Sequence, residues 1–212
     1  MVRPHLLPDR LIAHRLDADF YHRATAVVAK QLIGKALLHR VDGQWLGGWI
    51  VETEAYLDRG DPASHAARGK TPSNASMFAG PGTLYVYPIH AKYCLNAVTQ
   101  AEGQGAAVLI RAIEPIWGLD RMRESRGHDD PKRLTRGPAM LCQALRIDRN
   151  DDGRCLVSDG ALGVFDAPSQ PPRRVRVTKR IGISKAQHRN LRFIDPRSEY
   201  LSRKPWRLPL RV

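Results

Sequence analysis

The stretch IVETEAY, Ile50 to Tyr56, sets the hardest condition on how this chain folds. It reads as an apolar strand. Alternate residues of a strand share a face, so Glu52, Glu54 and Tyr56 point to the same side. A carboxylate taken out of water is strongly destabilising unless it is paired or hydrogen-bonded. The fold must therefore bring cations to this strand or leave its acidic face at a solvated rim. Two chemical readings follow. The acids reach arginines at a rim, or one of them is a general base holding a water, with Tyr56 as a wall of the site.

Charge bears on that choice. The chain carries 34 Lys and Arg against 21 Asp and Glu, a formal net charge of +13 over 212 residues. The segment from Arg173 to Val212 holds 13 Lys and Arg against Asp195 and Glu199. It is punctuated by Val175, Val177, Ile181, Ile183, Leu191, Phe193, Tyr200 and Trp206. A disordered basic tail lacks such a pattern, so a folded basic surface tracking a phosphate backbone is expected. The length suits one domain, residues 1–212, with a real core. No apolar run approaches the roughly 18–20 residues of a membrane span. No signal peptide is visible. Cys94, Cys142 and Cys155 have the spacing of neither a disulfide framework nor a zinc site, and are expected to pack in a reducing, intracellular compartment.

Along the chain, Asp17 is expected to cap one helix through FYHRATAVVAKQLIG, stopped at Gly34. KALLHRV, an Asp-Gly turn and QWLGGWIVETEAYL read as a hairpin. Asp58 to Ala79 is a long loop, and loops of that length inside a compact domain are usually functional. GTLYVYPIH and CLNAVTQ form a strand pair, and GAAVLIRAIEP a further strand. IWGLDRMRES and GPAMLCQALRI are short helices, with Pro138 suited to the first turn of the second. RRVRVTKRIGI alternates as a half-buried strand does. DRNDDGRCLVSD partly matches a calcium loop but has Asp159 where a bidentate Glu belongs, so a surface turn is expected.

Tyr85 and Tyr87 share a face of their strand, and aromatics grip unstacked bases. His65 sits in the long loop. Arg111 lies in an apolar strand and needs a partner, Glu54 or the nearer Glu114. There is no P-loop, nucleophile elbow, dinucleotide fingerprint or HExxH helix. The residues describe a metal-free site with a carboxylate base, an aromatic pocket and a basic surface. That suggests hydrolysis at a nucleic acid base or sugar.

IVETEAYL, His65, MFAGPGTLYVY, Asn96, VLIRAIEP, GPAMLCQAL and RIGISKA…LRF, in this order from about Phe20 to Arg203, resemble the alkyladenine (3-methyladenine, or methylpurine) DNA glycosylase family. The resemblance implies an α+β fold: a single compact mixed domain around a curved antiparallel β-sheet with flanking helices. It implies a monofunctional enzyme that flips alkylated purines from double-stranded DNA and hydrolyses the N-glycosidic bond with water. No metal or cofactor is implied. A monomer is expected, intracellular, in the cytoplasm or nucleoid of a bacterium and otherwise in a nucleus. Carried over residue by residue, Glu54 resembles the general base, Arg111 its holder together with the water, and the Ile181 carbonyl a third contact to that water. Tyr56, His65 and Tyr87 resemble the walls stacking on the flipped base, and Asn96 the position that rejects the guanine amino group. Glu52 becomes a structural partner. The family often has a Tyr wedge three residues after the pocket Tyr. Here His90 stands there, the segment before Asn96 is one residue short, and His90 or Tyr93 is the candidate to enter the stack.

Overall fold

The computed structural model describes residues 8–89, 92–168 and 171–203. Its elements are α1 (Pro8–Ile12), α2 (Ala18–Tyr21), α3 (Thr25–Leu32), β1 (Ala36–Val41), β2 (Gln44–Tyr56), β3 (Leu84–Ile89), β4 (Lys92–Val98), β5 (Ala107–Trp117), α4 (Leu119–Arg126), α5 (Pro131–Leu134), α6 (Pro138–Ala144), β6 (Leu162–Phe165), β7 (Arg176–Thr178) and β8 (Arg192–Ile194). The eight strands form one antiparallel sheet in the order β3-β4-β5-β2-β1-β6, with β8 pairing β2 and β7. This is the expected α+β architecture.

The β1–β2 hairpin forms where expected. Asp42 and Gly43 both have positive φ, 49° and 79°, as the right-handed twist of a two-residue turn requires. The second strand then outruns its partner. Ala36 pairs with Trp49, and from Glu52 to Glu54 the same edge of β2 pairs with β8 instead. On its other edge, Ile50 faces Ile113, Glu52 faces Ala112 and Thr53 faces Ile110. Val51 and Arg111 are thus each an extra residue in the ladder. Such bulges bend a strand and re-aim a side chain.

The main core lies between the sheet and helices α3 and α6, where Val28, Leu32, Leu141 and Leu145 meet Ile50, Leu95, Ile110 and Ile113. A smaller cluster of Leu11, Leu38, Trp49, Trp117 and Phe165 covers part of the sheet elsewhere. The helix expected from Asp17 is two helices. Asp17 does cap the first, accepting from the Phe20 amide, but the chain breaks at His22 before α3 begins. Tyr21 is fully buried at the end of the first, whereas Val27 in the second is 43% exposed. Of RRVRVTKRIGI only Arg176–Thr178 is strand, on the open side of β8, and Val177 is exposed. The α4 and α6 helices fall as expected, with Pro138 in the first turn of α6, although Trp117 ends β5 rather than entering α4.

Asp148–Asp159 is a turn, as expected, and it has a structural task. Asp148 and Asp151 form a capping box, Asp151 and Asp159 pair with Arg154, and Asp152 accepts from the Val86 amide and the Ser76 hydroxyl. Asp152 thereby ties this turn to β3 and to the 58–79 loop.

Neither acid of the opening stretch lies at a solvated rim, since both are fully buried. Glu52 Oε1 accepts from Arg192 Nε at 2.7 Å, Arg111 Nε at 3.2 Å and Ser202 Oγ at 2.8 Å, and Oε2 accepts from the Ser202 amide at 2.6 Å. One carboxylate therefore joins β2, β5, β8 and the segment after β8. Truncating one partner of a buried pair leaves the other charge uncompensated. Glu52→Ala is expected to lower unfolding free energy by about 3–5 kcal/mol, read from equilibrium denaturant curves.

Candidate active site

Register places the site. Directly opposed residues of an antiparallel ladder share a face. Glu54 opposes Leu109, Leu109 opposes Asn96, and Asn96 opposes Tyr85, so one row crosses β2, β5, β4 and β3. Tyr56 lies two residues along β2 from Glu54, and Tyr87, opposite Cys94, two along β3 from Tyr85. This face is closed over by the 58–79 loop and by the turn after Arg180, leaving a cavity of about 470 Å³. Tyr56, His65, Tyr85, Tyr87, Cys94, Asn96 and Leu109 line it, with Gly182 and Ile183 on the far side.

Glu54 sits at the edge of that row. Its Oε2 accepts from the Tyr56 hydroxyl at 2.9 Å and from Arg111 Nη1 at 3.1 Å, and its Oε1 from the Ile181 amide at 2.9 Å. A carboxylate offers about four acceptor positions, so among the described residues one on Oε1 remains. Arg111, the bulge residue, spans both acids. Burial opposes its charge, but Glu54 and Glu52 outweigh that and raise its pKa above the ordinary value. Glu114, the alternative partner, instead binds Arg173 at 2.7 Å. Burial first, and then the Glu54 charge and hydrogen bond, push the Tyr56 phenol above its usual range, so it stays a donor.

The aromatic wall is built from both sides. Ser64 caps a short 3₁₀ turn, His65–Arg68, by accepting from the Ala66 amide. The His65 ring then lies 4.1 Å from that of Tyr87, and its Nδ1 is 2.9 Å from the Tyr85 hydroxyl. Asn96 donates its side-chain amide to the Tyr85 and Cys94 carbonyls, at 3.0 and 3.3 Å, which fixes its orientation. Burial pushes the Cys94 thiol up to about 11, so it remains a thiol at neutral pH.

Glu54, Arg111 and Ile181 thus meet at one point, and Tyr56, His65, Tyr87 and Asn96 line one cavity. Tyr93 alternates with Cys94 and packs with Leu95 on the opposite side, against the main core. His90 lies outside the described residues. Sequence reasoning missed Tyr85 as the support of His65, Ile89 at the cavity wall, and a buried pair, Arg180 with Asp61. It also read the C-terminal charge too simply: Arg173, Arg180 and Arg192 turn inward onto Asp195, Asp61 and Glu52. Arg174, Arg176, Lys179 and Lys185 remain exposed, and Lys185 and Arg68 stand at the cavity.

A buried, hydrogen-bonded carboxylate beside a cavity lined with aromatic rings suits a hydrolase acting where a planar ring is attached. Comparison with known proteins makes this specific. The family model described as methylpurine-DNA glycosylase (MPG) matches residues 19–199. A Rhodopirellula baltica protein named "Putative 3-methyladenine DNA glycosylase" is 52% identical over 203 residues, covering 92% of this chain and 87% of its own. Proteins of the same name from Methanoculleus marisnigri and Chlorobaculum tepidum are 47% and 42% identical, covering 89% of this chain and 99% and 91% of theirs. The chain belongs to the methylpurine-DNA glycosylase family, hydrolases of N-glycosyl bonds in DNA.

Burial first, and then the Arg68 charge, lower the His65 pKa below its ordinary 6.5. The neutral ring's contribution to stability is complete above pH 6.5 and is lost as pH falls from there through the lowered folded value. The ring-carbon shifts of His65 in an NMR titration are expected to show it mostly neutral at pH 6.5, where a free histidine is half protonated.

Proposed function

We propose that this protein is a monofunctional DNA glycosylase that takes alkylated purines of the 3-methyladenine type out of duplex DNA and starts base excision repair. The observation that carries this is Glu54: fully buried, held by three donors, with one acceptor position left on Oε1 beside an aromatic cavity.

The flipped purine enters between Tyr56 on one side and His65 and Tyr87 on the other. N3- or N7-alkylation makes the ring cationic, so it departs without being protonated. Water held by Glu54, with Arg111 and the Ile181 carbonyl beside it, bonds to C1′. The N-glycosidic bond breaks, its electron pair neutralises the purine ring, and the water proton passes to Glu54. The same carboxylate stabilises positive charge developing on the sugar, as in other glycoside hydrolyses. Asn96, its amide pinned to two carbonyls, is a rigid bar to the guanine amino group.

Exposed Arg174, Arg176, Lys179 and Lys185 suit contact with backbone phosphates. Tyr93 is engaged by the core, so the wedge that fills the gap left by the flipped base is assigned to His90, three residues after Tyr87 in the sequence. The enzyme acts as a monomer, inside the cell where its DNA lies, and its chemistry requires no metal or cofactor.

Single-turnover release of 3-methyladenine from methylated duplex DNA tests the reading, with wild type and Glu54→Gln compared at matched DNA occupancy. Release by wild type and a loss of about 10²–10⁴-fold in the variant is expected. Retained turnover in the variant removes Glu54 from the role of base.

A further inference from the structure

The Tyr56 ring has an occupied back. The Arg180 Cζ lies 4.7 Å from its centroid. Tyr56 lines the cavity and the Arg180 side chain, fully buried, does not, so the ring separates the guanidinium from the space where a base would stack. Arg180 is firmly held. Its Nη1 donates to Asp61 Oδ2 at 2.7 Å and to the Ala55 carbonyl at 3.0 Å, and its Nη2 donates to Asp61 Oδ1 at 2.6 Å. Its Nε is buried with no oxygen acceptor, and the Tyr56 ring is the group beside the guanidinium. The Ala55 contact falls between Glu54 and Tyr56, and the next residue, Ile181, supplies the amide that holds Glu54.

A cation over one face of an aromatic ring draws on the same quadrupole that would attract a cation over the other. A cationic base stacking on Tyr56 therefore meets a ring already engaged from behind. Asp61 offsets part of the Arg180 charge, so the pair acts as a graded control rather than a fixed penalty. We propose that Arg180, clamped by Asp61 behind the Tyr56 ring, is a positioning residue that sets how strongly the pocket prefers a positively charged base over an uncharged one. The proposal rests on the glycosylase reading of the cavity and adds a determinant of its selectivity.

The test compares affinities for two duplexes. One carries 7-methyladenine and the other its uncharged 7-deaza-7-methyl isostere, each with a 2′-fluorine that keeps the glycosidic bond intact. The ratio of the two dissociation constants measures preference for charge, and a purely structural brace would leave it unchanged. Asp61→Asn, which strips the offset from Arg180, is expected to lower that preference about threefold. The double variant Asp61→Asn/Arg180→Gln is expected to raise it above wild type by about the same factor. Arg180→Lys keeps the charge and is expected to keep the wild-type ratio. Opposite shifts in the first two support the proposal, and equal ratios in all folded variants overturn it. Should the double variant not fold, Asp61→Asn decides alone: an unchanged or increased preference overturns the proposal. Release of 3-methyladenine by wild type is measured alongside. Its absence counts against the glycosylase reading, whereas an unchanged ratio counts against Arg180 only.

Discussion

Two carboxylates two residues apart on a buried strand would repel each other and resist burial. Arg111 reaches both, Arg192 takes the outer side of Glu52, and the Ile181 amide and Tyr56 hydroxyl complete Glu54. Much of the architecture can be read as what that arrangement requires. The bulges at Val51 and Arg111 let one arginine span two acids, and β8 replaces β1 at the edge of β2 where Arg192 is needed. The acids divide the work. Glu52 has four donors and joins elements, whereas Glu54 has three and keeps an acceptor position.

The cavity combines rigid and less regular parts. Glu54, Asn96, Tyr85 and Tyr87 stand on strands, where register fixes their spacing. His65 comes from a loop, but Ser64 caps its turn and Asn74 donates to its carbonyl at 3.3 Å and to that of Gly69 at 3.0 Å. Asp61, from the same loop, reaches under the floor to Arg180. A loop of this kind supplies side chains that strands cannot aim, while its internal hydrogen bonds limit its freedom.

Local rules made part of this legible in the sequence. The Asp-Gly turn, the period-two acids and Tyr56, and Pro138 at a helix start each depend on near neighbours, and each is where it was expected. The pocket residues were gathered by resemblance, and their shared row follows from strand register, which no single segment contains. What escaped was long-range. The α2–α3 break depends on burying Tyr21, and β8 is a three-residue strand whose existence rests on its partners. The pairing of Arg180 with Asp61 spans 119 residues, and no local pattern announces it. The same limit misled the charge count, which cannot distinguish an arginine facing a phosphate from one facing a buried acid.

That separation along the chain has a consequence for synthesis. Glu52 leaves the ribosome 140 residues ahead of Arg192 and 150 ahead of Ser202, and Glu54 127 ahead of Ile181. During elongation the two acids have at most Tyr56 and Arg111 for company, and the β1–β2 hairpin can form without the rest of their donors. A nascent chain halted before residue 180 therefore carries most of the sheet but an unfinished carboxylate centre. Emergence of the segment from Ile181 to Ser202 would then be the event that assembles the chemistry, and a product lacking that segment would lack it.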